Sequence, residues 1–252
     1  MAEDDAGRSR VGTDPVSPRV PRLDHLSWSE TAAWLRRDPR LLLPVGTCLQ
    51  HGTHLPLGTD TIIIARIAEE IALRHRILLA PTVPYGVSSE RESDYAGTAS
   101  LDRKTLHRVL NELVATWARQ GLHEVILMTA HGFGPHVEAL ATVVSGRVRV
   151  RAVDLNAIDL SRFFGGRRPV EHAGELETSL LLHLAPRLVR PVEPREGGAV
   201  EENGPARRRE PEEPVPAPGS DGVVGCPWLA SAERGRLIYD YLVSTIGERL
   251  AA

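Results

Sequence analysis

The sequence predicts an α/β protein, a three-layer α/β/α fold around a mainly parallel sheet. Three observations carry that expectation. Short apolar runs of strand character alternate with longer stretches whose apolar residues recur at helical spacing, the pattern of parallel strands joined by covering helices. The runs are apolar on both alternating faces, as strands buried from two sides must be. At 252 residues the chain is long enough to enclose a sizeable core, and its 42% hydrophobic and 25% charged residues are ordinary for a folded soluble protein.

The elements follow in chain order. Residues 40–47, RLLLPVGT, form a buried strand that ends near Gly46. Residues 60–75 carry apolar side chains at helical spacing after an Asp-Thr start. Residues 77–83 form a second strand, interrupted by proline. Residues 102–119 make an amphipathic helix with Asp102 as its N-cap. EVILMT, 124–129, is a third buried strand. Residues 135–144 form a short helix and 147–153 an alternating strand. Helices over 175–184 and 228–250 complete the pattern. Sheets of this type collect ligand sites at the carboxyl ends of their strands.

The chain's two extremes of composition lie outside that pattern. Residues 1–22 are polar and punctuated by proline, and are expected to be disordered. A stretch from about 191 to 220 is rich in Pro, Glu, Gly and Arg and reads as an insertion in a single domain spanning 23–252. The N-terminus opens with acids and has no apolar core of a secretory signal, and no apolar run spans a bilayer. The net charge is -3, with acids and bases interspersed, so neither nucleic acid nor a membrane is the expected partner. Two cysteines, Cys48 and Cys226, cannot make a disulfide framework, and a reduced cytosolic setting is expected.

Three polar clusters sit at the ends of predicted elements. Gln50-His51-Gly52-Thr53-His54 runs on to Asp60 after the first strand, Ala130-His131-Gly132 follows the third, and EHAGELETS, 171–179, opens a helix. Imidazoles with carboxylates suit Zn²⁺, Mn²⁺ or Fe²⁺. In a helix already begun at His172, Glu175 would share its face, and Glu177 would point about 140° away. A turn at Gly174 would release His172 from that phase, so spacing alone leaves both glutamates open.

At these residues the chain resembles the creatininase (creatinine amidohydrolase) family, including members like the mycofactocin-precursor peptidase. PVGTCLQHGTHLPLGTD is similar to the family's P-x-G-S-x-E-Q-H-G-P-H-L-P-x-x-T-D. TAHGFG resembles N-G-H-G-G-N, and HAGELETS resembles H-A-G-x-x-E-T-S. YAGTASL and GVVGCPWLASAERG resemble two further family segments, and all five occur in the family's order. The resemblance implies one or two divalent ions at the strand ends and hydrolysis of an amide, lactam or peptide C–N bond. It implies His51 and His131 as metal ligands, Asp60 as a bridging carboxylate, Glu177 as the closing ligand and His172 as a proton shuttle. It also implies a homo-oligomer, a hexamer by family habit.

The pattern breaks at Leu49, where the family has a glutamate ligand. Leucine cannot coordinate, so a second ion is expected to be weak or absent. The alternative reading is a catalytically degenerate scaffold or partner subunit. Thr129, Phe133 and Gly134 replace the asparagines and last glycine of N-G-H-G-G-N. Arg91 stands where a histidine is frequent, Thr53 replaces proline, and Cys226 replaces aspartate. His54 is expected to orient the loop or His51. His25, His75, His107, His123, His183 and His136 are expected to be structural, and Cys48 to be a small buried side chain.

Overall fold

The structure is a computed structural model that describes residues 20–166, 171–193, 216–217 and 219–251. The expected N-terminal segment lies outside the described residues as far as residue 19. The expected insertion lies outside them at 194–215 and 218. The elements are α1 (Trp28–Arg37), β1 (Arg40–Pro44), α2 (Thr59–His75), β2 (Leu78–Leu79), α3 (Arg103–Arg119), β3 (Glu124–Thr129), α4 (Gly134–Ala141), β4 (Arg149–Asp154), α5 (Glu175–Leu184) and α6 (Ala232–Ala251).

The four strands form one parallel sheet in the order β2-β1-β3-β4. Arg40 lies opposite Glu124 and Pro44 opposite Met128, while Glu124 lies opposite Arg149 and Thr129 opposite Asp154. Strand alternation divides the core in two. Leu42, Ile126 and Met128 pack against Ile63, Ile67 and Ile71 of α2, Leu181 of α5 and Ile238 and Ile246 of α6. Leu41, Leu43, Val125 and Leu127 face the other way, onto Leu106, Leu110 and Val114 of α3 and Leu140 of α4. Helices thus cover both faces, the arrangement that all-apolar parallel strands require. Among the described residues no helix is long and apolar enough to cross a membrane.

Several boundaries move for local reasons. The run at 77–83 pairs as a strand over Leu78–Leu79 and again in a lone bridge between Val45 and Val83. Pro81 lies between these pairings and has no N–H to give a ladder. The last helix starts at Ala232, after a 3₁₀ turn at Pro227–Leu229, with the Ser231 hydroxyl accepting from Arg234 N–H. Asp102 occupies the N-cap of α3, but its side chain makes no capping hydrogen bond there. α1 was not read from the sequence, although Ser27 and Glu30 form a reciprocal capping box at its start.

Candidate active site

Three clusters far apart in the chain meet at the carboxyl ends of β1 and β3. The loop leaving β1 carries His51, and the first turn of α2 carries Asp60. His131 stands two residues beyond β3, and Glu177 lies in the first turn of α5. The loop must pass close over α2, since a Cβ at Gly46 would lie 2.5 Å from the Thr61 Cα. Gly52, at φ 66°, turns the chain back in the left-handed region that glycine tolerates.

The side chains are almost wholly enclosed: His51, Asp60 and His172 are 0% exposed and His131 2%. Asp60 sits between two imidazoles. Its Oδ1 is 3.5 Å from His51 Nε2, and its Oδ2 is 3.4 Å from His131 Nδ1. Thr47 Oγ1 donates to Asp60 Oδ2 at 2.5 Å. Glu177 Oε1 lies 3.8 Å from His51 Nε2, and its Oε2 accepts from Ala173 N–H at 2.6 Å.

Backbone carbonyls orient both rings. His51 Nδ1 donates to Leu49 O at 2.9 Å, so Nε2 presents its lone pair toward the two carboxylates. His131 Nε2 donates to Val87 O at 3.0 Å, which turns the Nδ1 lone pair toward Asp60. His136 braces the second ring. Its Nδ1 accepts from Val87 N–H at 3.2 Å, its Nε2 donates to Thr129 Oγ1 at 3.0 Å, and Thr129 Oγ1 accepts from His131 N–H at 3.1 Å.

His172 does not belong to α5. It precedes the helix in an antiparallel bridge with Val224. Its Nε2 lies 3.0 Å from Gln50 O, 2.9 Å from Gln50 Nε2 and 3.5 Å from Glu92 Oε1. Its ring is 4.6 Å from that of His51. One donor atom from each of His51, His172 and Glu177 lies within 4.8 Å of the other two. Of the two readings that spacing left open for His172, the structure has the turn before the helix. α5 begins only at Glu175, whose side chain forms an ion pair with Arg234 of α6. Ala173, at φ 52°, supplies the turn that separates His172 from the helix, a conformation strained for a residue with a side chain.

Glu171 caps that helix, accepting from Glu175 N–H at 3.0 Å and from Leu176 N–H. Burial pushes its carboxyl up to about 7, against the downward pull of the Leu176 N–H.

The donor set fits a divalent cation. Ligand atoms about 2.1 Å from a tetrahedral ion lie roughly 3.4 Å apart, close to the His51–Asp60, His131–Asp60 and His51–Glu177 spacings of 3.5, 3.4 and 3.8 Å. Two carboxylates enclosed beside imidazole lone pairs are also costly to bury without a cation among them. Leu49 is 0% exposed and offers no ligand atom from its side chain.

Other expectations resolve simply. His54 Nε2 bonds Thr178 Oγ1 at 2.9 Å, tying the β1 loop to α5. Cys48 is half-buried, with its Sγ 3.5 Å from Gly97 O. His25 is largely exposed, and His107 bonds Thr142 O at the surface. Sequence reasoning missed Glu92, which lies in the polar run SSERES. A 3₁₀ turn at Glu90–Asp94 rotates it inward until it is 4% exposed. The signal that could have found it is the spacing from Ser89 to Glu92, which forms a capping box.

Comparison with known proteins adds three kinds of match. A family model described as creatininase, creatinine amidohydrolase, matches residues 24–250. The mycofactocin precursor peptide peptidase of Mycobacterium ulcerans (strain Agy99) is 34% identical over 247 residues, covering 92% of this chain and 93% of that protein. The creatinine amidohydrolase of Pseudomonas putida is 28% identical over 256 residues, covering 89% and 94%. A solved structure titled "Creatininase Mn" superposes with a TM-score of 0.74 at 25% identity, covering 92% of this chain and 98% of that one.

Proposed function

This chain belongs to the creatininase family, and from that premise we infer that it is a metal-dependent hydrolase of a C–N bond in a peptide or small amide. The single observation that carries the reading is the enclosed run of close approaches from Glu177 to His51, from His51 to Asp60 and from Asp60 to His131, each no longer than 3.8 Å.

A divalent ion, Zn²⁺, Mn²⁺ or Fe²⁺, would be held there and would supply Lewis acidity toward water and the scissile carbonyl. The chain's own residues do the rest. His51 and Glu177 close one side, and Asp60 faces both His51 and His131 with separate oxygens. His172 Nε2 lies among Gln50 O, the Gln50 side-chain amide and Glu92 Oε1, and is placed to pass a proton to the leaving nitrogen. Glu92 and Gln50 fix the ring for that transfer. The enclosure strengthens each of these interactions by excluding water. With Leu49 in place of a carboxylate, Asp60 and His131 alone are a poor second site, so we assign one ion per chain. The same kinship favours a cytosolic homo-oligomer, hexameric by family habit.

Elemental analysis of protein prepared with excess metal tests the reading. One ion per chain is expected, with both metal and hydrolysis lost in His51→Ala. Leu49→Glu should raise the metal content toward two without being required for turnover. Metal-replete protein that retains no ion would instead identify a degenerate scaffold.

A further inference from the structure

Beside the metal cluster lies an open cleft of about 650 Å³. The two share walls. Val87, whose carbonyl holds His131, lines the cleft, as does Phe133, whose ring is 6.2 Å from that of His131. The 3₁₀ turn at Glu90–Asp94 is two-sided, with Glu92 turned toward His172 and Arg91 lining the cleft. A substrate whose reacting bond sits at the buried cluster would therefore extend into this space.

The lining has a definite chemistry. Arg91 is exposed there and makes no ion pair among the described residues, whereas Arg103 is held by Glu138 at 2.9 Å. The cleft wall includes the first residues of α3, a 17-residue helix whose N-cap Asp102 makes no side-chain capping bond. Its leading N–H groups favour negative charge. Ser88, Ser89, Ser93 and Ser100 add neutral polar groups to the lining. Two acids, Glu90 and Asp102, stand in the same wall. They would repel a simple inorganic anion. A peptide segment satisfies both halves of the lining, with a carboxylate for the cation and amide N–H groups for the acids.

We propose that this cleft binds a carboxylate-bearing segment of a peptide substrate, with Arg91 as the partner of that carboxylate. The proposal rests on reading the adjacent cluster as a C–N hydrolase. The carboxylate is either the chain terminus or an acidic side chain, and both present the same group to the guanidinium. Arg91 is a specificity-determining residue, acting on substrate binding rather than on the reacting atoms.

Three pools of N-acetylated random hexapeptides separate the sources. One lacks Asp and Glu but ends in a free carboxylate. One lacks all carboxylates and ends in a carboxamide. One carries a single Asp and ends in a carboxamide. Binding is read on metal-free protein by affinity capture and mass spectrometry, and cleavage on metal-loaded protein. At least one carboxylate pool should bind about tenfold better than the neutral pool. Arg91→Gln should abolish that preference and Arg91→Lys should restore part of it, with thermal melting unchanged in both. Preference for the first pool identifies the chain end, and preference for the third identifies the side chain. Equal binding of all pools, binding of none, or a preference that survives Arg91→Gln overturns the proposal. Cleavage of every pool at one rate would sink it while leaving the hydrolase intact. Carboxylate-selective binding without any cleavage would keep the cleft, and the metal content would then judge the hydrolase separately.

Discussion

At the scale of single residues, the site depends on side chains that touch no reacting group. His136 is 0% exposed and joins Val87 N–H to the Thr129 hydroxyl, which in turn receives His131 N–H. His136→Phe would leave the buried Val87 N–H without its acceptor and take one of the two donors from Thr129 Oγ1, and Gly86 leaves little space, since an added Cβ there would lie 2.6 Å from the imidazole. We expect a loss of about 2–4 kcal/mol in urea unfolding together with weaker metal retention, because His131 loses its brace. Unchanged stability would show that water replaces the imidazole. His51, Asp60 and His131 stood out in the sequence because the histidines lie beside glycines just past predicted strands and Asp60 opens a predicted helix, all within recognisable motifs, and the structure brings the three side chains together. Glu92 was not, because only the rotation of a 3₁₀ turn takes it from solvent to the core, and that rotation depends on tertiary packing. His136 looked structural for the same reason that hid its partnership, since the amide it serves lies 49 residues away.

At the scale of elements, α5 decides which glutamate faces the site. Its start at Glu175, set by the left-handed Ala173, is one turn later than a helix beginning at His172 would have. Helix phase could not reveal this, because the decisive fact is where the helix begins. The Glu171 cap adds a pH dependence. Its carboxyl, raised by burial from 4.5 to about 7, binds a proton in the folded chain over a range where the unfolded chain has released it. Stability from this group is therefore present below about 4.5 and is lost as pH rises through about 7, a change on the order of 3 kcal/mol. Metal-free Glu171→Gln should show a shallower fall in urea midpoint between pH 5 and 8 than the parent, and parallel profiles would refute the assignment. α5 also meets α6 at Gly235, where an added Cβ would overlap the Ser179 carbonyl. Gly235→Ala gains about 1 kcal/mol of helix propensity, while overpacking costs about 1–3 kcal/mol. We expect a lower melting temperature, since the obstacle is backbone and cannot rotate away.

At the scale of the whole molecule, the alternation of strand and helix gave the layers directly, because a parallel sheet must be covered on both faces. The sheet order was not legible, since apolar runs of similar length carry no mark of their neighbours. Because the proposed ligands come from the β1 loop, α2, the β3 loop and α5, a bound ion would join segments that unfolding separates. Chelation should lower the melting temperature of the parent, by an amount that grows with the metal concentration removed, and should leave His51→Ala nearly unmoved. A melting curve indifferent to chelator would contradict the metal site. The rims of the sheet carry a further consequence. β2 is only two residues long, and Leu79 N–H already donates to Pro21 O, while the opposite border, β4, displays Arg149 and Arg151. Neither border is a template on which a passing chain could stack. An added strand therefore finds no long, flat apolar border on either side of this sheet to extend in register.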